Sequence, residues 1–203
     1  MELSGIRAVL LDMDGTLVES HAAVERAWRV WSAEYGVDPD AVMIVAHGAP
    51  AGTTVRTFLP AASSGDVVNA AAARQLALQY DDLSDVTPAT GAAELLGTLA
   101  RRGLPWAVVT SADVRLAKAR LGAAGITPPL LVTVEDVAAG KPAPDGYLQA
   151  AAALGVAPAD CLVVEDAEVG VRAGRAAGAL TVGLRGLPAD LTVDDLAELA
   201  RML

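Results

Sequence analysis

The chain has 203 residues and a formal net charge of −10, from 25 acidic and 15 basic side chains. Because this surplus of negative charge repels polyanions, we expect neither nucleic acid nor an anionic membrane as a partner. The single cysteine, Cys161, excludes an internal disulfide and a multi-cysteine zinc site, and its apolar neighbours predict a position in the core.

No stretch of the sequence is long and apolar enough to span a bilayer, and the N-terminus lacks the basic-then-apolar layout of a signal peptide. We therefore expect a cytoplasmic protein, with a monomer as the default. At this length the chain fits one domain, or a core with a modest insertion.

Apolar, largely β-branched runs that end abruptly predict strands, and amphipathic patterns between them predict helices. The predicted strands are 6–11, 106–110, 130–133, 161–164 and 180–184; the predicted helices are 92–102, 114–124, 146–154 and 170–177, with a terminal helix over 193–203 capped by Thr192. Strands without polar alternation are typical of parallel sheets that are covered on both faces. The alternation predicts an α/β fold, a doubly wound, Rossmann-like parallel sheet that binds ligands at the carboxyl ends of its strands.

Residues 18 to 86 interrupt this alternation and are predicted to be mostly helical. One helix face of the insertion carries four apolar residues at helical spacing: Val24, Trp28, Trp31 and Tyr35. We interpret this face as packing core rather than as a ligand platform. An insertion directly after the first strand would lie above the carboxyl ends of the strands as a small α-helical cap domain. The predicted organisation is a core of residues 1–17 and 87–203 with a cap of residues 18–86.

Two acidic side chains follow the first predicted strand, where the chain must turn through a glycine. Asp12 and Asp14 flank Met13 and precede Gly15. A carboxylate at this place can attack an electrophile and form an acyl phosphate, and its neighbour can carry the proton. The motif alone is not specific for this chemistry, because Asp-Gly also suits a hairpin turn. It also imitates the start of a calcium loop, although the third oxygen ligand and the closing glutamate are missing.

Two hydroxyls and a lysine follow other predicted strands. Thr110 ends the second predicted strand and Ser111 follows it. A hydroxyl and a backbone N–H there can hold a phosphoryl oxygen. Alternatively, or in addition, Thr110, Ser111 or Asp113 could cap the next helix.

Lys141 lies between Gly140 and Pro142, and the proline restricts the backbone at this position. A mobile surface lysine would not need such a restriction. A positioned ammonium can neutralise charge on a phosphoryl group and on an attacking carboxylate.

A second acid pair, Glu165 and Asp166, stands where the fourth predicted strand ends. If these carboxylates gather with Asp12 and Asp14, they repel one another unless a cation lies among them. Oxygen-only ligands with room for phosphate favour Mg²⁺. The sequence therefore predicts a magnesium site that is suited to phosphoryl transfer.

The first acidic pair, the two hydroxyls, the lysine and the second acidic pair occur in this order across essentially the whole chain. Together these four motifs resemble the haloacid dehalogenase-like hydrolase superfamily. The resemblance implies that Asp12 is the nucleophile of an aspartyl-phosphate intermediate and that Asp14 acts first as general acid and then as general base. It also implies that Thr110 binds phosphate with help from the Ser111 backbone, and that Lys141 orients Asp12 and the phosphoryl group. The implied Mg²⁺ ligands are Asp12, Asp166 and the Asp14 backbone carbonyl, with Glu165 as a direct ligand or an outer partner.

The insertion resembles the small helical cap of the phosphoglucomutase-like subgroup, whose caps close over the substrate. Val24 stands where mutases of this subgroup usually carry a histidine, which disfavours a mutase. His47 and the glycine after it resemble the His-Gly stretch of sugar- and polyol-phosphate phosphatases, so His47 is predicted to contact the substrate. Gly15, next to the first acidic pair, is also predicted to bind the substrate. An arginine that often follows His-Gly in that branch is missing, and Arg56 could replace it or simply be exposed.

We predict a Mg²⁺-dependent phosphatase that hydrolyses small phosphorylated metabolites, with sugar or polyol phosphates as substrates, through an aspartyl-phosphate intermediate. One alternative is a hexose-phosphate mutase on the same core. Another is a non-catalytic domain that binds a phosphometabolite or a protein, and a third is a receiver-type aspartyl-phosphate switch, which would not need the cap. The sequence does not identify the substrate, because the cap residues that select it meet only in space.

Overall fold

The computed structural model of the chain describes residues 3–46 and 51–203. The strands are β1 (Ala8–Leu11), β2 (Val18–Glu19), β3 (Thr87–Pro88), β4 (Trp106–Val109), β5 (Leu131–Val132), β6 (Cys161–Glu165), β7 (Leu180–Leu184) and β8 (Leu191–Val193). The helices are α1 (His21–Tyr35), α2 (Pro39–Ala46), α3 (Ala51–Phe58), α4 (Gly65–Asp81), α5 (Ala92–Arg102), α6 (Val114–Ala123), α7 (Asp145–Leu154), α8 (Glu168–Ala176) and α9 (Leu196–Met202). In these two ranges, no helix has both the length and the apolar character needed to cross a membrane.

Six strands form a parallel sheet in the order β5-β4-β1-β6-β7-β8. The strand β1 pairs with β4 on one side and with β6 on the other, so that Leu10 lies opposite both Ala107 and Val163. The order of the strands reverses at β1, and in open sheets such a reversal opens a crevice at the carboxyl ends. The predicted α/β fold, a doubly wound parallel sheet with a helical insertion, is confirmed.

Successive residues of the central strands are buried on opposite faces of the sheet, which explains the absence of polar alternation in the sequence. Leu11 belongs to an apolar cluster with residues of α5, α6 and α9. Leu10 belongs to a second cluster with Tyr147 of α7 and with Ala173 of α8. Cys161 is fully buried in this second cluster, as predicted.

The helices α1 to α4 enclose an apolar cluster of their own outside the sheet. Trp28 and Trp31 of α1 are buried in it, with their ring centroids 5.3 Å apart in an edge-on arrangement. The indole Nε1 of Trp31 donates a hydrogen bond to the carbonyl of Ala71 in α4 at 3.0 Å. Val24 and Tyr35 pack against the same cluster, so all four residues of the predicted face contribute to packing, although Val24 and Trp28 also line a cavity.

The chain leaves and re-enters the sheet region through two short strands that lie side by side. In this antiparallel ribbon of β2 and β3, Val18 pairs with Pro88 and Glu19 pairs with Thr87. The predicted boundaries between residues 1–17, 18–86 and 87–203 fall at this ribbon. The division into a core domain and a cap domain stays a prediction.

The C-terminal segment differs from the predicted one. Residues 191–193 form the edge strand β8, and α9 begins at Leu196 with Asp195, not Thr192, at its N-cap. The side chain of Asp195 accepts a hydrogen bond from the N–H of Glu198 at 2.8 Å. Val193 pairs with Leu184 of β7 and is buried. Pairing at the sheet edge therefore makes a strand of residues that the local sequence pattern assigned to the helix.

Candidate active site

The first acidic pair lies on the turn that follows β1. Met13 is fully buried in the core, whereas Asp12 and Asp14 on either side of it line a cavity. Gly15 has a φ of +78°, and a Cβ atom placed there would lie 2.1 Å from the Asp166 carboxylate. Only glycine suits this position, because a side chain would be strained in the backbone and would collide with the second acidic pair.

The ammonium of Lys141 joins three strand ends at this edge of the sheet. It contacts the Asp12 carboxylate, donates to Oε1 of Glu165 at 2.6 Å and donates to the carbonyl of Val109 at 3.0 Å. Tyr147 of α7 donates its hydroxyl to the same oxygen of Glu165 at 2.6 Å. The Lys141 side chain is 7% exposed, so the ammonium has a fixed position beside Asp12.

Burial and charge together shift the pKa values of these groups. Burial, followed by repulsion from Glu165, raises the pKa of Asp12 well above its usual range. Burial by itself would lower the pKa of Lys141, but the carboxylates of Asp12 and Glu165 outweigh it and raise that pKa well above the usual value. Burial also raises the pKa of Asp166 to about 6, with repulsion from Glu165 as the next cause. Negative charge is in excess here, and the site attracts a further cation.

Asp12, Glu165 and Asp166 each present a carboxylate oxygen, and these oxygens lie within 4.8 Å of one another. Such an all-oxygen set fits a hard divalent cation such as Mg²⁺. Both oxygens of Glu165 already accept hydrogen bonds, Oε1 from Lys141 and Tyr147, and Oε2 from the backbone N–H groups of the two following residues. The Glu165 side chain is also only 1% exposed, whereas those of Asp12 and Asp166 are 11% and 14% exposed, so Asp12 and Asp166 are better suited to contact the cation directly.

Asp166 is held on another side by an arginine that sequence reasoning missed. Arg185 donates to Oδ2 of Asp166 at 3.1 Å and to the carbonyl of Gly15 at 2.7 Å. The hydroxyl of Thr16 donates to Oδ1 of Asp166 at 3.4 Å, and Nε2 of His21 lies 3.9 Å from Oδ2. Arg185 directly follows β7 and has a φ of +52°, which an arginine rarely adopts. No sequence pattern marks this contact.

Thr110 and Ser111 follow β4 and line the same cavity as Asp12. Thr110 is buried, and its hydroxyl oxygen accepts a hydrogen bond from the N–H two residues later at 3.1 Å. The N-cap of α6 is Asp113, whose side chain accepts a hydrogen bond from a backbone N–H in the first turn at 2.8 Å. Capping is therefore the role of Asp113, and the two hydroxyl residues lie where a phosphoryl group could bind.

Asp14 has different partners from the other three carboxylates. Its Oδ1 accepts a hydrogen bond from the hydroxyl of Ser20 at 2.6 Å, and its Oδ2 forms an ion pair with Nη1 of Arg120 at 2.7 Å. Arg120 lies on α6, is 2% exposed and also donates to Gln79 of α4 at 2.6 Å. Sequence reasoning missed Arg120 and Gln79. One signal was available, because Arg120 shares the buried face of α6 with Leu116, where a charge is unexpected.

A cavity of about 330 Å³ lies between the strand ends and the helices α1, α3 and α4. Trp28 and Leu76 line its helical side, and Val24 also lines it. Arg56 is exposed on α3 and does not line the cavity. The predicted substrate contact His47 lies outside the described residues.

The structure brings eight predicted site residues together around this cavity. They are Asp12, Asp14, Gly15, Thr110, Ser111, Lys141, Glu165 and Asp166. The arrangement offers a buried carboxylate next to an ammonium, a second carboxylate on the same turn, and an acidic cluster for a cation. These are the parts that phosphoryl transfer to a carboxylate requires.

Comparison with known proteins agrees with this arrangement. The chain matches the haloacid dehalogenase-like hydrolase family over residues 6–178. Hexitol phosphatase A of Escherichia coli (strain K12) is 42% identical over 185 residues, which cover 91% of this chain and 85% of that protein. 2-Deoxyglucose-6-phosphate phosphatase 1 of Saccharomyces cerevisiae is 36% identical over 195 residues, covering 86% and 78%. The crystal structure of a hydrolase from Pseudomonas syringae superimposes with a TM-score of 0.86 at 25% identity, covering 96% of each chain.

Proposed function

This chain belongs to the haloacid dehalogenase-like hydrolases and is a phosphatase of that family, and we propose its substrates and its chemistry as follows. It hydrolyses sugar or polyol monophosphates in a Mg²⁺-dependent reaction with an aspartyl-phosphate intermediate on Asp12. One observation carries the proposal: the carboxylate of Asp12 is held by Lys141 in the lining of a cavity that Asp14 also lines.

The first step transfers the phosphoryl group to the protein. An oxygen of Asp12 attacks phosphorus while the bond from phosphorus to the leaving oxygen breaks. Asp14 lines the same cavity and donates a proton to that leaving oxygen. Lys141 contacts Asp12 and offsets the repulsion between the carboxylate and the phosphate. Thr110 and the backbone after it bind a phosphoryl oxygen.

The second step returns the protein to its starting state. Asp14 takes a proton from water as the water oxygen attacks phosphorus, and the bond between phosphorus and Asp12 breaks. Inorganic phosphate leaves, and the Asp12 carboxylate is regenerated. Asp12, Asp166 and the backbone carbonyl of Asp14 would hold Mg²⁺, which when bound stabilises negative charge on the phosphoryl oxygens. Glu165 holds Lys141 in place through the hydrogen bond described above.

The cavity supports a small leaving group. Its volume of about 330 Å³ is near the lower end of the range for ligand cavities, roughly 300 to 1,000 Å³. The named relatives act on a hexitol phosphate and on 2-deoxyglucose 6-phosphate, which supports a sugar or a polyol as the leaving group here. Val24 in the cavity wall cannot transfer protons, which argues against a mutase.

Phosphate release from a panel of sugar, polyol and nucleotide monophosphates tests the substrate class. Each compound is assayed with Mg²⁺ and with EDTA, using the wild type, Asp12→Asn, and Asp194→Asn as a matched control at an exposed acid outside the cavity lining. We expect Mg²⁺-dependent turnover that prefers sugar or polyol phosphates, is lost in Asp12→Asn and is kept in Asp194→Asn. Preference for nucleotides would contradict the substrate class. Isomerisation that requires glucose 1,6-bisphosphate would instead support a mutase.

A further inference from the structure

Arg120 links the helical insertion to the proton-transfer carboxyl group. Its Nη1 lies 2.7 Å from Oδ2 of Asp14, and its Nη2 donates to Oε1 of Gln79 on α4 at 2.6 Å. Gln79 in turn donates to Gln75 at 2.7 Å. Arg120, Gln79 and Gln75 are all buried, with exposed fractions of 2%, 8% and 0%. A buried polar chain thus runs from the interior of the insertion to Asp14.

A buried chain of polar and charged side chains contributes little to the stability of a protein, so its presence suggests that its geometry serves a function. The guanidinium of Arg120 is taken out of water at a cost in free energy, while the Asp14 side chain remains 28% exposed. A well-packed apolar residue at such a buried position is often as stable as the charged one or more so. Within the described part of the chain, the Nε–H of Arg120 has no hydrogen-bond partner, which adds to that cost. Because the guanidinium is a rigid planar fork, the position of Gln79 determines where Nη1 meets Asp14.

Separate contacts hold α4 against α6. The hydroxyl of Tyr80 donates to Asp113 at 2.8 Å, and the guanidinium of Arg115 lies 4.2 Å from the centre of the Tyr80 ring. Ser20, which directly follows β2, donates to the other oxygen of Asp14 at 2.6 Å. Asp14 is therefore held by one group at the end of the connecting ribbon and by another that depends on the docked position of α4.

We propose that Arg120 is a positioning residue that acts through Asp14, and that it orients this carboxyl group for proton transfer only while α4 is docked on α6. The inference rests on the proposed function. Arg120 occupies Oδ2, so Oδ1 carries the transferred proton, and the Ser20 hydroxyl beside Oδ1 can rotate to allow this. In the first step, the proton moves from Oδ1 to the leaving oxygen as the phosphorus–oxygen bond breaks and the bond to Asp12 forms.

The test separates proton donation from other effects by changing the leaving group. The variants are Arg120→Met, Arg120→Lys, and Arg175→Met as a matched control at an exposed arginine on α8 that pairs with Asp190. First-turnover rates are measured with the best sugar or polyol phosphate and with p-nitrophenyl phosphate, whose leaving group needs no proton. Folding of each variant is checked by circular dichroism and by its unfolding temperature.

We expect Arg120→Met to slow the first turnover of the sugar or polyol phosphate about 100-fold, and that of the aryl phosphate less than about threefold. The Michaelis constant should change little. Arg120→Lys should not restore the rate, because an ammonium keeps the charge but lacks the fork. Arg175→Met should match the wild type with both compounds.

Gln79→Leu tests the contact that Arg120 makes with α4. This variant also replaces Arg120→Met as the test if Arg120→Met does not fold. We expect a smaller loss with the same dependence on the leaving group. In a folded double variant, Arg120→Met with Gln79→Leu should be no slower than Arg120→Met alone, because both changes break one chain of contacts. Additive losses would overturn the coupling to α4.

Two results would overturn the inference as a whole. One is an equal loss with both compounds, which would indicate a structural or phosphate-binding role for Arg120. The other is an unchanged rate with both compounds. Asp12→Asn is run alongside these variants: if it keeps its turnover, the proposed function fails and this inference fails with it. If Asp12→Asn is inactive while Arg120→Met shows either of the two results, only the role of Arg120 is rejected.

Discussion

Gly170, in the first turn of α8, lies so close to Glu165 that a Cβ atom added to it would be 1.7 Å from Oε1. The carboxylate of Glu165 is 1% exposed and cannot turn away into solvent. It also holds the ammonium of Lys141, which contacts Asp12. A methyl group added to α8 would therefore act through Glu165 and Lys141 on the position of Asp12, the proposed nucleophile.

Gly170→Ala should fold but lose activity, because the displaced Glu165 carboxylate no longer holds Lys141. We expect the phosphate-release rate to fall about 100-fold, the effect of a misplacement of about 1 Å. Overpacking should also lower the free energy of unfolding by about 1 to 3 kcal/mol. Urea unfolding and steady-state kinetics measure the two effects. An unchanged rate in a destabilised variant would show that the contact of Glu165 with Lys141 does not matter for the reaction.

Cys161 should be unreactive in the folded protein. Its side chain is fully buried, and burial raises the pKa of the thiol to about 11. Only the thiolate is nucleophilic, so almost none is available at pH 8. We expect no labelling by Ellman's reagent at pH 8 until a denaturant is added, and then one thiol per chain. Fast labelling of the native protein would contradict the packing of β6.

At the scale of elements, α6 has a position that tests helix stability without disturbing the site. Gly122 lies near the end of α6, and no atom lies within 4 Å of a Cβ atom added there. We expect Gly122→Ala to stabilise the protein by up to about 1 kcal/mol, because alanine loses less backbone entropy in a helix. The unfolding temperature should rise by about 2 to 4 °C with no change in turnover. This variant is also the control for Gly170→Ala.

The elements that the sequence predicted are those with strong local patterns. The strands β1, β4, β6 and β7 are apolar runs, and the helices between them carry amphipathic faces. No apolar run marks β2 or β3, which form because the segments that lead out of the sheet and back into it lie side by side. The strand β8 was missed for a similar reason, since its pairing with β7 depends on the sheet edge and not on its own residues.

At the scale of the whole molecule, the acidic cluster predicts that a divalent cation stabilises the fold. Asp12, Glu165 and Asp166 meet with Lys141 as the buried ammonium among them. A cation that binds only the folded state adds about 2.7 kcal/mol when its free concentration is about 100 times Kd. We expect the unfolding temperature to rise with Mg²⁺ and to return with EDTA. In Asp166→Asn the rise should be much smaller, and an equal rise would contradict the assignment of Asp166 to the cation.

The site itself was predictable in part. Asp12 and Asp166 directly follow β1 and β6, and a parallel sheet brings strand ends together whatever the loops do. Lys141 reaches them from the loop between β5 and α7, so its contact depends on the path of that loop. Arg120 and Gln79 could not be paired from the sequence, because they lie 41 positions apart on two helices whose contact depends on how the insertion docks. Arg185 could not be found either, because it reaches Asp166 from a strained backbone position after β7.

The most direct test of the central claim is to detect a phosphoryl group on Asp12. Asp14→Asn should accumulate this intermediate with p-nitrophenyl phosphate, since the first step then needs no acid while the second step lacks its base. Peptide mass spectrometry after acid quenching, with Mg²⁺ present, should find one phosphoryl group per chain on Asp12, and none with EDTA. Release of p-nitrophenolate by the wild type with no phosphoryl group on Asp12 in either protein would contradict covalent catalysis by Asp12.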